Sequence, residues 1–177
     1  SERMLLVELE KAARALEETL KALGDTGGGR PPAVGRGFAK RKGRLAAPVD
    51  SVIERAFGKV VDAEFQTETL RRGVDFAASD GESVRAVAPG AVRFASWFRG
   101  YGELVIVDHG DSYFTVSGHL GEIFVQVGDV VSEGDTLGTV GETGSLTGPR
   151  LYFEIRHGSR PQDPADWLES RGRLASP

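Results

Sequence analysis

Gly148–Pro149–Arg150–Leu151–Tyr152–Phe153–Glu154 is the stretch on which the reading of this chain turns. From Leu151 to Arg156 it reads as the last in a series of short strands, and the segments before it keep the same spacing. Thr136–Leu137–Gly138–Thr139–Val140 and Val125–Gln126–Val127–Gly128–Asp129–Val130–Val131 flank one tight connection. Further back, the apolar run Glu103–Leu104–Val105–Ile106–Val107–Asp108 returns through His109–Gly110–Asp111 into Tyr113–Val116. Val84–Ala88 and Ala91–Ala95 stand on either side of Pro89–Gly90. Short strands, glycine-rich turns and no interleaved helices predict a mainly β protein, an antiparallel sandwich or barrel-like sheet, from Leu45 to Trp167. Glycine supports this: 24 of the 177 residues is roughly twice the usual share, and glycine serves where strands turn tightly.

Composition narrows the function classes. Hydrophobic residues at 40% and charged residues at 27% are values of a globular protein. A net charge of −4 argues against a nucleic-acid footprint. No apolar run reaches the roughly 20 residues that span a membrane, so direct membrane insertion is not expected. Ser1–Glu2–Arg3 leads straight into a helical pattern without a signal peptide, so the chain reads as mature or as cut from something longer. The absence of cysteine excludes disulfides and thiolate metal sites.

Four segments follow from patterning. Residues 1–23 form a helix in which Leu6, Ala13 and Leu20, and again Leu9, Leu16 and Leu23, fall seven apart. This is either the end of a coiled coil or one amphipathic, regulatory helix packed on its own domain. Residues 24–37 form a Gly/Pro-rich linker, 38–170 the β domain, and 171–177 a tail. Arg36, Lys40, Arg41, Lys42 and Arg44 make a basic run, read as a solvated loop.

Ordered landmarks run through the β region: Arg71–Arg72–Gly73–Val74–Asp75, Gly100–Tyr101–Gly102, Asp108–His109–Gly110, Gly118–His119–Leu120, Gly141–Glu142–Thr143–Gly144 and the block quoted first. In their order and spacing they resemble the LytM/lysostaphin-type cell-wall metallopeptidases. That resemblance implies the LytM (duplicated hybrid-like) fold. Active members of that family usually read Gly-Pro-His-Leu-His-Phe-Glu in the final block. Their first landmark begins with a zinc-binding histidine and ends with a zinc-binding aspartate. Here Arg71 and Tyr152 occupy two of the three ligand positions, and Arg150 occupies one of two auxiliary histidine positions; Asp75 and His119 are retained. Arginine presents only N–H donors and repels a dication, and a neutral phenol is a poor substitute for imidazole. The expectation is therefore no metal, no cofactor and no catalysis. His109, read as structural or exposed, and His157, read as a surface residue, do not rebuild a ligand set. Arg71 or Arg150 is expected to pair with Asp75 in the metal's place.

The entry Phe38–Leu45, the loop Ala95–Gly102 and the closing segments Leu151–Arg156 and Asp163–Leu168 are similar to degenerate members of the family, the EnvC-like activators of cell-separation amidases. The resemblance implies a periplasmic or envelope protein of a Gram-negative bacterium. It would bind a peptidoglycan amidase in its groove, with peptidoglycan as a second ligand and upstream division machinery acting through the coiled coil. Arg71, Asp75, Trp97, Arg99, Tyr101, His119, Arg150 and Tyr152 are the groove residues expected. Of the adjacent Trp97 and Phe98, only one can face the groove. Three rival readings stand beside this one: an active zinc endopeptidase with atypical ligands, a peptidoglycan-binding scaffold, and a biotinyl or lipoyl carrier. The last fails because no lysine lies beyond Lys59.

Overall fold

In the computed structural model, which describes residues 2–25 and 37–169, helix α1 (Glu2–Asp25) precedes an antiparallel β domain. Most of the expected linker (26–36) and the expected tail (171–177) lie outside the described residues. A 3-10 turn at Phe38–Arg41 leads into β1 (Ile53–Arg55), β2 (Gly58–Asp62), β3 (Thr67–Arg71), β4 (Val74–Phe76) and β5 (Ser83–Arg85). Then follow β6 (Gly90–Phe98), β7 (Gly102–Asp108), β8 (Tyr113–Ile123), β9 (Val130–Val131) and β10 (Thr136–Val140). The chain closes with β11 (Leu151–His157), β12 (Arg160–Gln162) and the short helix α2 (Pro164–Trp167). The main sheet runs β1-β4-β11-β8-β7-β6-β9, with β10 joined to β5 and β8, and β12 to β11. Strands β2 and β3 form a separate hairpin.

The near-continuous apolar run of β7 is explained by burial on both faces. Val105 and Val107 enter the main core with Phe76, Leu151, Phe153 and Ile155. Leu104 and Ile106 point the other way, into a second cluster with Phe114, Val116 and the α1 residues Ala12, Leu16 and Leu20. The helix therefore packs its seam on this chain's own sheet. Leu16 and Leu20 are fully buried, each worth about 1.5–3 kcal/mol. The first turns of α1 differ: Met4, Leu5, Val7 and Leu9 remain exposed.

Phe38 anchors the other edge, stacked on His109 at 4.8 Å and against Tyr113 and Trp167 at 5.0 Å each. The basic run radiates from this plug, with Arg41 on Glu133 at 2.7 Å and Lys42 over the Trp167 ring at 5.6 Å. Among the described residues no helix is long and apolar enough to cross a membrane.

Candidate partner-binding cleft

Register places the central side chains. Asp75 of β4 stands opposite Tyr152 of β11, which stands opposite Gly118 of β8. Directly opposed residues project to the same face, so the carboxylate and the phenol share it. His119 comes next, and its backbone is left-handed, φ 60°, beside a register shift between β7 and β8. A non-glycine residue held there is strained by roughly 1–3 kcal/mol, and such an irregularity re-aims a side chain. Its N–H donates to the Tyr101 carbonyl at 2.7 Å, and its ring Nδ1 lies 2.8 Å from the Thr143 carbonyl oxygen. Burial pushes the His119 pKa down, and the Arg150 and Arg71 charges add to this against the Thr143 bond and Asp75.

Both arginines expected at Asp75 reach it. Its buried Oδ2 lies 2.9 Å from Arg71 and 3.4 Å from Arg150. Arg55 stands at 4.0 Å. Arg150, itself buried, also meets Glu54 at 3.2 Å and donates to the Thr147 carbonyl at 2.9 Å. Three guanidinium groups thus crowd one carboxylate oxygen. A catalytic zinc needs three lone-pair donors, and guanidinium has none to give. Among the described residues no three His, Cys, Asp or Glu side chains gather as a metal site. This donor set does not fit a zinc ion.

Tyr152 has its own attachments. Its hydroxyl donates to Glu154, which accepts from Arg156 Nε at 2.5 Å, and Arg156 donates onward to the Ser159 carbonyl. Glu154 and Arg156 are fully buried, and the Tyr101 ring lies 5.4 Å from that of Tyr152. Burial, with Glu154 beside it, pushes the pKa of both phenols up, so they stay neutral. Sequence reasoning took Glu154 and Arg156 only as part of a closing motif. Their signal was alternation: residues 152, 154 and 156 share one face of β11.

The cleft above these residues has a volume of about 340 Å³. Arg55, Arg71, Arg72, Asp75, Tyr101, His119, Arg150 and Tyr152 line it, with Leu70 and Leu146 at the side. The opposite wall is α1, through Leu6, Leu9, Glu10, Ala12 and Ala13. Glu10 accepts from Arg72 at 2.9 Å, and although burial disfavours that cation, the Glu10 bond and charge raise its pKa overall. Six of the eight expected groove residues thus meet here, while Trp97 and Arg99 stand outside the lining. Trp97 is exposed on β6, and its neighbour Phe98 turns inward against Phe94 and Tyr101, at 5.6 and 5.9 Å. Arg99 is held by Glu8 of α1 at 2.5 Å. Of the other histidines, His157 is exposed and stacked on Tyr113, whereas His109 is buried between the Pro89 carbonyl and Thr115 Oγ1, 2.8 Å from each.

Residues 69–164 match the model of Peptidase family M23. This chain belongs to that family. Among M23 relatives, the murein hydrolase activator EnvC of Escherichia coli is 33% identical over 132 residues, which is 75% of this chain and 30% of that protein. The murein hydrolase activator NlpD of the same species is 35% identical over 115 residues, 64% of this chain and 30% of that protein. The catalytic domain of the antimicrobial peptidase lysostaphin from Staphylococcus simulans superposes with a TM-score of 0.54 at 28% identity, covering 62% of this chain and 85% of that one. The chain spans about a third or less of the length of the first curated relatives it matches.

Proposed function

We propose that this M23 domain is a non-catalytic activator of a peptidoglycan (N-acetylmuramoyl-L-alanine) amidase in cell division and daughter-cell separation. In this reading residues 38–170 are the degenerate LytM-type domain, 1–23 are its regulatory segment, and the protein works in the envelope of a Gram-negative bacterium. The observation that carries the proposal is the pairing of Arg71 and Arg150 with Asp75. It puts fixed positive charge where a hydrolytic M23 site would need a metal and its activated water. The names of EnvC and NlpD support the activator class.

A preformed cleft without chemistry still binds. If it binds the amidase's regulatory segment better when that segment is released from the amidase active site, the released state gains population by the difference in affinity. With α1 seated, the remaining cleft holds a few side chains, not a helix about 10 Å across. Helix α1 accordingly acts as an occluding wall that an upstream signal withdraws. The test mixes the purified chain with candidate amidases and follows dye release from labelled cell wall. Stimulation by the chain, and no release without amidase, is the expected result. Release by the chain alone, or no stimulation of any amidase, refutes the proposal.

A further inference from the structure

The seat of α1 carries its own description of what fits it. At 3.6 residues per turn, Glu8 and Glu10 lie about 200° apart around the helix, one on either side of the stripe that buries Ala12, Leu16 and Leu20. Each glutamate meets an arginine on its own side. Glu10 takes Arg72, just past β3, through both oxygens at 2.9 and 3.5 Å. Glu8 takes Arg99, in the turn between β6 and β7. Between the two clamps, Gly100 supports the helix so closely that a Cβ there would collide with the Ala12 methyl.

Charge sharpens the description. Once α1 has left, and Glu10 with it, the cleft lining retains Arg55, Arg71, Arg72 and Arg150 against Asp75, with Glu54 behind Arg150, so cations still outnumber anions two to one. The chain as a whole is −4, so this positive face is local. Such a face attracts an acidic segment and repels a basic one.

We infer that the guest of this cleft is an acidic amphipathic helix that imitates α1. It presents alanine or glycine over Gly100, and a carboxylate on each side of its apolar stripe for Arg72 and Arg99. The inference rests on the reading that the cleft receives a partner helix, and it names the chemistry by which that helix is chosen. Small residues at the crossing set the distance of approach, and the flanking acid pair sets orientation.

Charge exchange tests this on the whole chain. The probe is a labelled synthetic peptide of residues 2–25, used as a stand-in for the partner. In a chain carrying Glu8→Arg and Glu10→Arg the built-in helix loses both clamps but keeps Leu16 and Leu20, so the fold is retained. The native peptide is expected to bind this chain at least ten-fold tighter than it binds the native chain. A chain carrying Arg72→Glu and Arg99→Glu should reject the native peptide and accept the peptide carrying Glu8→Arg and Glu10→Arg. Equal binding of both peptides to both chains, or no binding at all, overturns the inference, as does preferential capture of soluble peptidoglycan fragments. A parallel amidase assay separates the two proposals. Stimulation that ignores the charge at residues 72 and 99 sinks the acidic guest and leaves the activator standing. Charge-matched peptide binding with no amidase stimulated does the reverse.

Discussion

Ala12 and Gly100 touch so closely that neither tolerates a larger neighbour. Gly100 also has φ +90°, a backbone that other residues rarely adopt, and a Cβ added to it would run into that of Ala12. Ala12→Leu forces extra volume into this contact and lifts the first half of α1 from its seat. Overpacking of this kind costs about 1–3 kcal/mol. The expected outcome is a modest fall in unfolding midpoint together with a several-fold rise in amidase stimulation. A loss of stability with unchanged stimulation would show that α1 does not guard the cleft.

Asp75 is the carboxylate that Arg71, Arg150 and Arg55 share, and Arg150, itself buried, has Glu54 as a second partner. Asp75→Ala removes the carboxylate these cations share and leaves Arg150 its Glu54 pair, and breaking a buried pair from one side typically costs about 3 kcal/mol. Replacing Arg71 and Arg150 by methionine in the same chain should recover most of that loss, because an apolar set of similar volume removes the uncompensated charge. Urea unfolding with an unchanged slope measures both effects.

The β domain was legible where apolar runs end in glycine turns: β10 spans the expected Thr136–Val140, and β7 and β11 differ from expectation by a single residue. Strands β2 and β3 were missed because their hairpin lies outside the core and leaves Val60, Val61, Phe65 and Leu70 exposed. A sequence such as Thr67–Glu68–Thr69–Leu70–Arg71 shows no buried face to read. The run 125–131 yields only β9, since a turn at Gly128 occupies its middle. Within the cleft, the pairing of an arginine with Asp75 was expected because the family resemblance puts Arg71, Arg150 and Asp75 at one site and their charges are opposite. The left-handed backbone of His119 was not, because histidine, though enriched among non-glycine residues at positive φ, adopts it too rarely for the sequence to mark the position. The wall supplied by α1 depends on how helix and sheet dock, which an a/d pattern leaves open between a partner helix and the chain's own sheet.

Zinc content is a direct check on the donor set. The purified native chain, dialysed against micromolar zinc, should retain no stoichiometric metal by elemental analysis. Arg71→His, Arg150→His and Tyr152→His together give Asp75 neutral imidazole neighbours and remove the cations that now occupy its oxygen. This triple variant should take up about one zinc per chain. One tightly held zinc in the native chain, with cleavage of peptidoglycan, would restore the enzyme reading.

The sharpest pH dependence should come from His109, not from the cleft. Burial lowers its pKa from 6.5 to about 4, against the opposing Pro89 hydrogen bond and the Asp108 charge. The unfolded chain therefore binds a proton there that the folded chain refuses, and stability falls as pH drops through the window from 6.5 to about 4. Below that window the loss levels off at about 3–4 kcal/mol, the product of the shift and roughly 1.4 kcal/mol per unit. Above pH 6.5 the imidazole is neutral in both states and contributes no slope. His109→Gln keeps a polar group near the Pro89 carbonyl and Thr115 but cannot charge. That variant should be less stable than the native chain at pH 7.5, yet lose less stability between pH 7 and 4. Parallel melting curves for the two proteins across that range would show that His109 is not the titrating group.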